Sequence, residues 1–370
     1  MKISKIPGLG RFGVYIDDVD LETISIEEWM EIGQLHLHHL VTIIRQANCS
    51  KDRFSELVLK FGEQRNTTQL SQKYYKKYKK DWQWIVTQFR RDSDLLDRED
   101  KRILATIESL ADVTSSGNPI GKVAGGYDKD GKPNGWFADG ELDWHSNESG
   151  TLTFTPGLGF LGYKGVVGSA TGFLTTPDYY ESVSNSFRSE LDEMVLIHRF
   201  MPGKINPGLR QDQDEIMRMN FCPDDNSEVP MVIQSPGGIR GLHYSLGTVY
   251  QIKGMSKANS DQVFREINAN LVCDKYVYDH WYQNDNDLLL FDNSITMHRR
   301  LGNIDGRLCY RIPFDYTNLQ TGPWQPYYQK DFAQKYNREI RNIISIAKIN
   351  NFKFPKKSWK EYVPVLKNYV

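Results

Sequence analysis

Helical and strand periods alternate along the first sixty residues. Gly13-Val-Tyr-Ile16 reads as a short strand and Asp18–Leu21 as a turn. Ser25-Ile-Glu-Glu28 opens a helix: Ser25 takes the N-cap, and Glu28, three residues on, completes the capping-box spacing. Apolar positions carry that helix through Leu35 towards His39. The β-branched run Val41-Thr-Ile-Ile44 then predicts a buried strand ending at Arg45. Ser50–Phe61 predicts a second capped helix, closed by Gly62.

Lys73–Arg91 is basic and aromatic together. Such interleaving can make a nucleic-acid surface. An exposed amphipathic helix with snorkelling lysines is the simpler reading, and the neutral chain favours it. From Gly117 the pattern changes. Gly, Pro, Asn and Asp punctuate short Val-, Tyr-, Phe- and Leu-rich runs, as in an all-β barrel or sandwich, with turn dipeptides at Asp130-Gly131 and Asn134-Gly135. Helical patterns interrupt at Tyr179–Arg199 and Ser260–Leu271, and β-type alternation resumes from Tyr276 to Tyr316. A last helix is expected over about Lys330–Ile349. No repeat and no linker is evident.

Composition narrows the function classes. The 370 residues carry 46 basic and 47 acidic side chains, so no whole-molecule field draws nucleic acid or an anionic membrane. Hydrophobic residues at 39% suffice for a sizeable core. Nothing reads as a transmembrane span or a signal peptide. Cys49, Cys222, Cys273 and Cys309 are scattered and never paired as CxxC, which excludes a zinc ribbon and predicts reduced thiols in a cytoplasmic setting. The expected partner is a small-molecule substrate, with no membrane, no nucleic acid, and a homo-oligomer left open.

Of eight histidines, two stand out by context. Leu142-Asp-Trp-His145-Ser-Asn-Glu148 puts His145 on a strand. Asn286-Asp-Leu-Leu-Leu-Phe-Asp-Asn-Ser-Ile-Thr-Met-His298 puts His298 just after an apolar strand and a turn. His36 and His39 share a helix face but lack a nearby carboxylate, and are read as structural. Beyond His298, Arg307, Cys309 and Arg311 alternate onto one face of a strand. Two inward arginines are costly to bury unless they meet an anion, and a dicarboxylate suits them. Two histidines with open coordination positions beside a bidentate anion is the arrangement of non-haem iron oxygenases.

With these motifs in order, the chain resembles the taurine dioxygenase/clavaminate synthase-like family of iron(II)- and 2-oxoglutarate-dependent oxygenases. The resemblance runs nearly end to end. Gly10–Glu63 follows the family's strand–turn–helix–strand–helix course. Trp144-His145-Ser146 resembles the Trp-His-Thr/Ser-Asp motif, Thr155-Pro156-Gly157 the turn after it, and Gly168–Thr176 with Phe187–Phe200 the next segment and helix. Asp292-Asn-x4-His298 with Arg307 and Arg311 resembles the distal metal and co-substrate motif. The resemblance implies an α+β, mainly β fold: a double-stranded β-helix (jelly roll, cupin-like) with flanking helices. It implies one oxygenase domain over 1–324, with an insertion at about 66–135, and a C-terminal helical extension over 325–370. His145 and His298 would be the catalytic metal ligands. Thr171 and Arg307 would hold the distal carboxylate of 2-oxoglutarate, with Arg311 at its other end or on the substrate. Iron(II), 2-oxoglutarate and dioxygen are the expected cofactor and co-substrates, and oxidation of a small polar metabolite such as an amino acid derivative the expected reaction.

Two departures bear on this. Where the family's carboxylate ligand falls, two residues after His145, stands Asn147. Four readings stay open: Asn147 ligates through its oxygen, directly or through water; Glu148 takes over across a β-bulge; Asp143 reaches in from the other side; or the position is open to a halide, as in related halogenases. A non-catalytic ligand-binding protein on the same fold is the remaining alternative. The histidine that binds sulfonate in taurine dioxygenases is also missing after Phe61-Gly62-Glu63, where Gln64, Arg65 and Asn66 follow, so taurine is not the expected substrate. Glu141, His243 and Tyr244 are the expected substrate contacts by family analogy.

Overall fold

The computed structural model describes residues 1–62, 77–78, 82–98, 100–101, 104–105, 111–116, 119–135, 137–149, 154–199, 201–207, 227–316 and 318–319. Cys222, most of Lys73–Lys80 and the helix expected over 330–349 lie outside them. Strands are numbered β1 to β17 in chain order among the described residues. The architecture is mixed and mostly β. One eight-stranded sheet runs in the order β1 (Lys2–Lys5), β2 (Val14–Asp17), β3 (Val41–Ile44), β15 (Asp287–Asp292), β7 (Gly157–Lys164), β17 (Leu308–Phe314), β5 (Pro119–Ala124), β4 (Ala111–Val113). A four-stranded sheet has the order β14 (Val277–Trp281), β8 (Ser169–Thr175), β16 (Thr296–Gly302), β6 (Leu142–His145). Two smaller sheets, β10 (Ser227–Pro230), β9 (Val195–His198), β13 (Val249–Ile252) and β11 (Val232–Gln234), β12 (Arg240–Leu242), complete the β structure.

Alternation along the central strands explains how these layers stack. In β15, Leu288 and Leu290 face the helices, while Leu289 and Phe291 face the four-stranded sheet and meet Phe173 from β8. A strand buried on both faces reads as a continuous apolar run, and Asp287-Leu-Leu-Leu-Phe does. Helix α1 (Ile26–His39) starts with both arms of the predicted capping box, Ser25 and Glu28. Helix α2 (Lys51–Phe61) starts at Ser50. Both cover the outer face of the large sheet, where Trp29 stacks on Phe61 at 4.6 Å and donates its indole N–H to the Leu57 carbonyl.

The helical pattern over Tyr179–Arg199 resolves differently. Two helices, Pro177–Ser182 and Asn185–Glu193, precede strand β9. Ser184 breaks the first from the second because its hydroxyl accepts from the Phe187 N–H as a new N-cap. Cys49, Cys273 and Cys309 are free thiols, and among the described residues no helix is long and apolar enough to cross a membrane.

Candidate active site

A cavity opens between the two main sheets, with about 100 Å³ of space for water-sized molecules, and His145, Asn147, Glu148, Thr171, His298, Arg307 and Arg311 all line it. The topology brings the two histidines together: β6 and β16 are antiparallel neighbours, and His145 stands directly opposite His298. Their ring centres are 4.2 Å apart. Two imidazoles bound to one ion at right angles, with metal–nitrogen bonds of about 2.1 Å, would put their centres roughly 4.6 Å apart, so the pair fits a shared metal. His145 Nδ1 lies 2.7 Å from the Asp143 carbonyl, which fixes Nδ1–H as donor and leaves the Nε2 lone pair free. Burial holds both rings neutral: it pulls His145 down to about 4 and His298 well below its ordinary value, with Arg311 adding to the effect on each. Neutral imidazole is the ligating form.

The register between β6 and β16 slips after this pair, so that Leu142 faces Arg300. Three residues on β6 thus match two on β16, a bulge that reverses the alternation. Leu142 turns into the cavity with His145, while Asp143 is exposed, outside the lining, and accepts its own neighbour's N–H from Trp144. The segment after His145 is pinned on both sides. Ser146 donates its hydroxyl to the Thr296 carbonyl and its N–H to Ser245 Oγ. Asn293 accepts the Asn147 N–H and donates to the Asn147 and Thr155 carbonyls. Glu148 adopts a left-handed backbone at φ 60°, costly for a side chain of its size. Among the described residues, no three His, Cys, Asp or Glu side chains group as a metal site, so no described carboxylate is grouped with the two histidines.

The anion seat is built across two strands. Arg307, just ahead of β17, is 2% exposed. Its Nη2 donates to Thr171 Oγ1 at 3.3 Å and its Nε to Cys309 Sγ at 3.1 Å, while Nη1 has no acceptor among the described residues. Thr171 also shares a 2.9 Å hydrogen bond with the Tyr282 hydroxyl. A buried guanidinium among neutral partners, with one nitrogen unsatisfied, is costly until a carboxylate fills the gap, so the donor set fits 2-oxoglutarate. Arg311 lines the cavity further along β17; burial lowers its pKa and Glu148 works the other way.

The three expected substrate contacts sit elsewhere. Glu141 is exposed and accepts the Gly302 N–H. His243 is buried with Nδ1 donating to the Ser294 carbonyl, and Tyr244 is buried with its hydroxyl on Asn268. None of them is in the cavity lining. The sequence reading missed Arg300, Tyr282 and Asn293. Arg300 had a signal: it follows His298 by two residues, the spacing that keeps side chains on one strand face.

Paired histidines and a buried, part-satisfied arginine facing one cavity between two β-sheets fit a 2-oxoglutarate-dependent non-haem iron oxygenase. The sequence profile of the family described as Taurine catabolism dioxygenase TauD, TfdA family matches residues 3–312, and the chain belongs to that family. Among solved structures, AAD-2 in complex with Mn(II) and N-oxalylglycine is similar over 85% of this chain and 97% of its own, at 16% identity and a TM-score of 0.55. A taurine dioxygenase from Burkholderia xenovorans is similar over 84% of this chain and 89% of its own, at 15% identity and a TM-score of 0.55. Among curated proteins no sequence match is found.

Proposed function

We propose that the protein is an iron(II)- and 2-oxoglutarate-dependent dioxygenase that hydroxylates or otherwise oxidises a small polar metabolite, such as an amino acid derivative, in the cytoplasm. The supporting observation is the opposition of His145 and His298, 4.2 Å apart in a cavity that also holds the unsatisfied Arg307 guanidinium. On this reading the two main sheets are the halves of a double-stranded β-helix, residues 1–324 form the oxygenase domain, and 325–370 extend it.

His145 and His298 would hold the metal, with Asn147 or Glu148 as the further ligand from the wall. Bound iron would supply dioxygen activation coupled to oxidative decarboxylation of the co-substrate. The chain's own part is binding and orientation. Arg307 and Thr171 grip the distal carboxylate, and the Asp143 carbonyl fixes the His145 tautomer. Phe160, Phe291 and Leu142 keep bulk water from the reacting centre.

Anaerobic addition of iron(II) and 2-oxoglutarate should produce the visible charge-transfer band of the chelate, and His145→Ala and His298→Ala should each abolish it. A band surviving both substitutions would sink the site. A second reading draws on Asn147 and on there being, among the described residues, no carboxylate grouped with the two histidines: a halide would complete the metal's coordination and the product would be halogenated. Chloride-dependent change in the same band would favour it. If no metal is retained at all, a non-catalytic ligand-binding role replaces both.

A further inference from the structure

A second hollow, with about 980 Å³ of space for water-sized molecules, lies between β14 and the ends of β2 and β3. It shares no lining residue with the oxygenase cavity. Tyr278 and His280 alternate onto the inner face of β14, and the Tyr278 hydroxyl hydrogen-bonds that of Tyr15 on β2. Both phenol rings stand near the imidazole, at 6.5 Å for Tyr15 and 6.4 Å for Tyr278. His280 is 4% exposed and donates from Nε2 to Asp287 Oδ2 at 2.8 Å. Asp287 Oδ1 accepts the Gln46 N–H at 2.7 Å, so both carboxylate oxygens are engaged. Gln46 makes that bond from a left-handed backbone at φ 51°, a conformation costly for its side chain.

This histidine–aspartate pair leaves one atom unused. With Nε2–H committed to Asp287, the neutral imidazole keeps its lone pair on Nδ1. That nitrogen has no partner among the described residues. Unlike the orphaned nitrogens of His198 and His243, it is not sealed from solvent. Charge at the rim is also unspent. Arg45 grips Asp17 through both carboxylate oxygens, and Arg299 grips Asp279 likewise. Asp18 and Asp20 enter no ion pair among the described residues, which leaves Lys2 as the one lining cation set against them. A purely structural tie between β14 and β15 explains neither the open nitrogen nor the spare carboxylates.

We propose that this hollow is a second ligand site, for an organic ammonium. The ammonium N–H donates to His280 Nδ1, and Asp287 behind the ring holds the tautomer that accepts it. The rings of Tyr15 and Tyr278 flank the carbon skeleton and attract the cation through their faces. Asp18 and Asp20 offset its charge from the rim. The site is separate from the oxygenase reading, and its test needs no turnover.

Four probes on one benzyl skeleton make the test: benzylammonium, benzyltrimethylammonium, benzyl alcohol and phenylacetate. Each is titrated into the full chain by calorimetry, with the melting temperature as a second readout, both with and without iron(II) and 2-oxoglutarate. Benzylammonium should bind at least tenfold more tightly than the alcohol or the carboxylate, whether or not the protein is loaded. Benzyltrimethylammonium keeps the charge without an N–H and should bind several-fold more weakly. His280→Gln still offers Asp287 a donor but lacks Nδ1, and should weaken benzylammonium roughly tenfold. Asp18→Asn combined with Asp20→Asn keeps the side-chain oxygens and should weaken it about threefold, an effect that fades with added salt. Benzylammonium binding no tighter than the alcohol or the carboxylate overturns the proposal, as does equal binding of the trimethyl probe. Binding undiminished in His280→Gln but lost in His298→Ala overturns it too, because the amine then occupies the oxygenase cavity. If His280→Gln fails to fold, the paired aspartate variant decides: undiminished binding there overturns the site, and a loss that salt abolishes in the wild type supports it.

Discussion

At the residue scale the site turns on one atom type. An amide oxygen at position 147 carries far less charge than a carboxylate, so on the proposed reading the two histidines would hold the metal with weaker electrostatic help. Asn147 is nevertheless well placed, because Asn293 clamps its backbone from both sides and the residue lines the cavity beside His145. Asn147→Asp should therefore tighten metal retention by tenfold or more, measured by competition with a chelator. Unchanged retention would move the further ligand to Glu148 or to a halide. Arg307→Ala tests the neighbouring seat. Losing a charge-assisted hydrogen bond costs about 1.5–3 kcal/mol, so the 2-oxoglutarate requirement should rise roughly 10- to 100-fold. A normal requirement in that variant would assign the distal carboxylate to Arg311.

At the element scale, what could be read in advance followed the strength of local rules. The first helix was legible because its cap chemistry and apolar period agree, and both arms of the capping box form. Ser25→Ala should accordingly cost about 1 kcal/mol, read as a lower denaturant midpoint without a change in slope. That His145 and His298 share one cavity was legible because motif and strand pattern coincide. Asp143 was not, since a bulge in β6 reverses the alternation that placed it beside His145, and a bulge is decided by pairing with β16 that the sequence does not display. His243 and Tyr244 likewise lie in a buried layer whose facing follows from the smaller sheets around them. Ser184 ended one helix and began another inside a single apolar period, which periodicity alone cannot separate.

At the scale of the whole molecule, buried titratable groups set how the fold responds to pH. Five histidines are held neutral far below their ordinary value: His36, pulled down to about 3, His145 and His243, each to about 4, and His198 and His298, well below that value, all chiefly by burial. In the unfolded chain each would titrate near 6.5. Their contribution to stability is present above that value and is lost as pH falls from about 6.5 through the folded values. Asp292 acts in the opposite sense. Burial raises it to about 7, so its contribution is full below about 3.8 and is lost as pH rises through 7. Each group changes stability by at most about 1.4 kcal/mol per pH unit in its window, so five histidines outweigh one carboxyl. The melting temperature of the metal-free protein should fall steeply between pH 6.5 and 4. Asp292→Asn keeps the acceptor for the Ser294 and Ile295 N–H groups and should steepen nothing on the histidine side. Relative to the wild type it should gain stability as pH rises from about 4 to 7, because in the wild type alone the unfolded chain then releases a proton that the folded Asp292 keeps. Calorimetry across that range decides both signs: a flat acid limb would mean the histidines take up protons while folded, and a pH-independent difference between the two proteins would mean Asp292 is already ionised there.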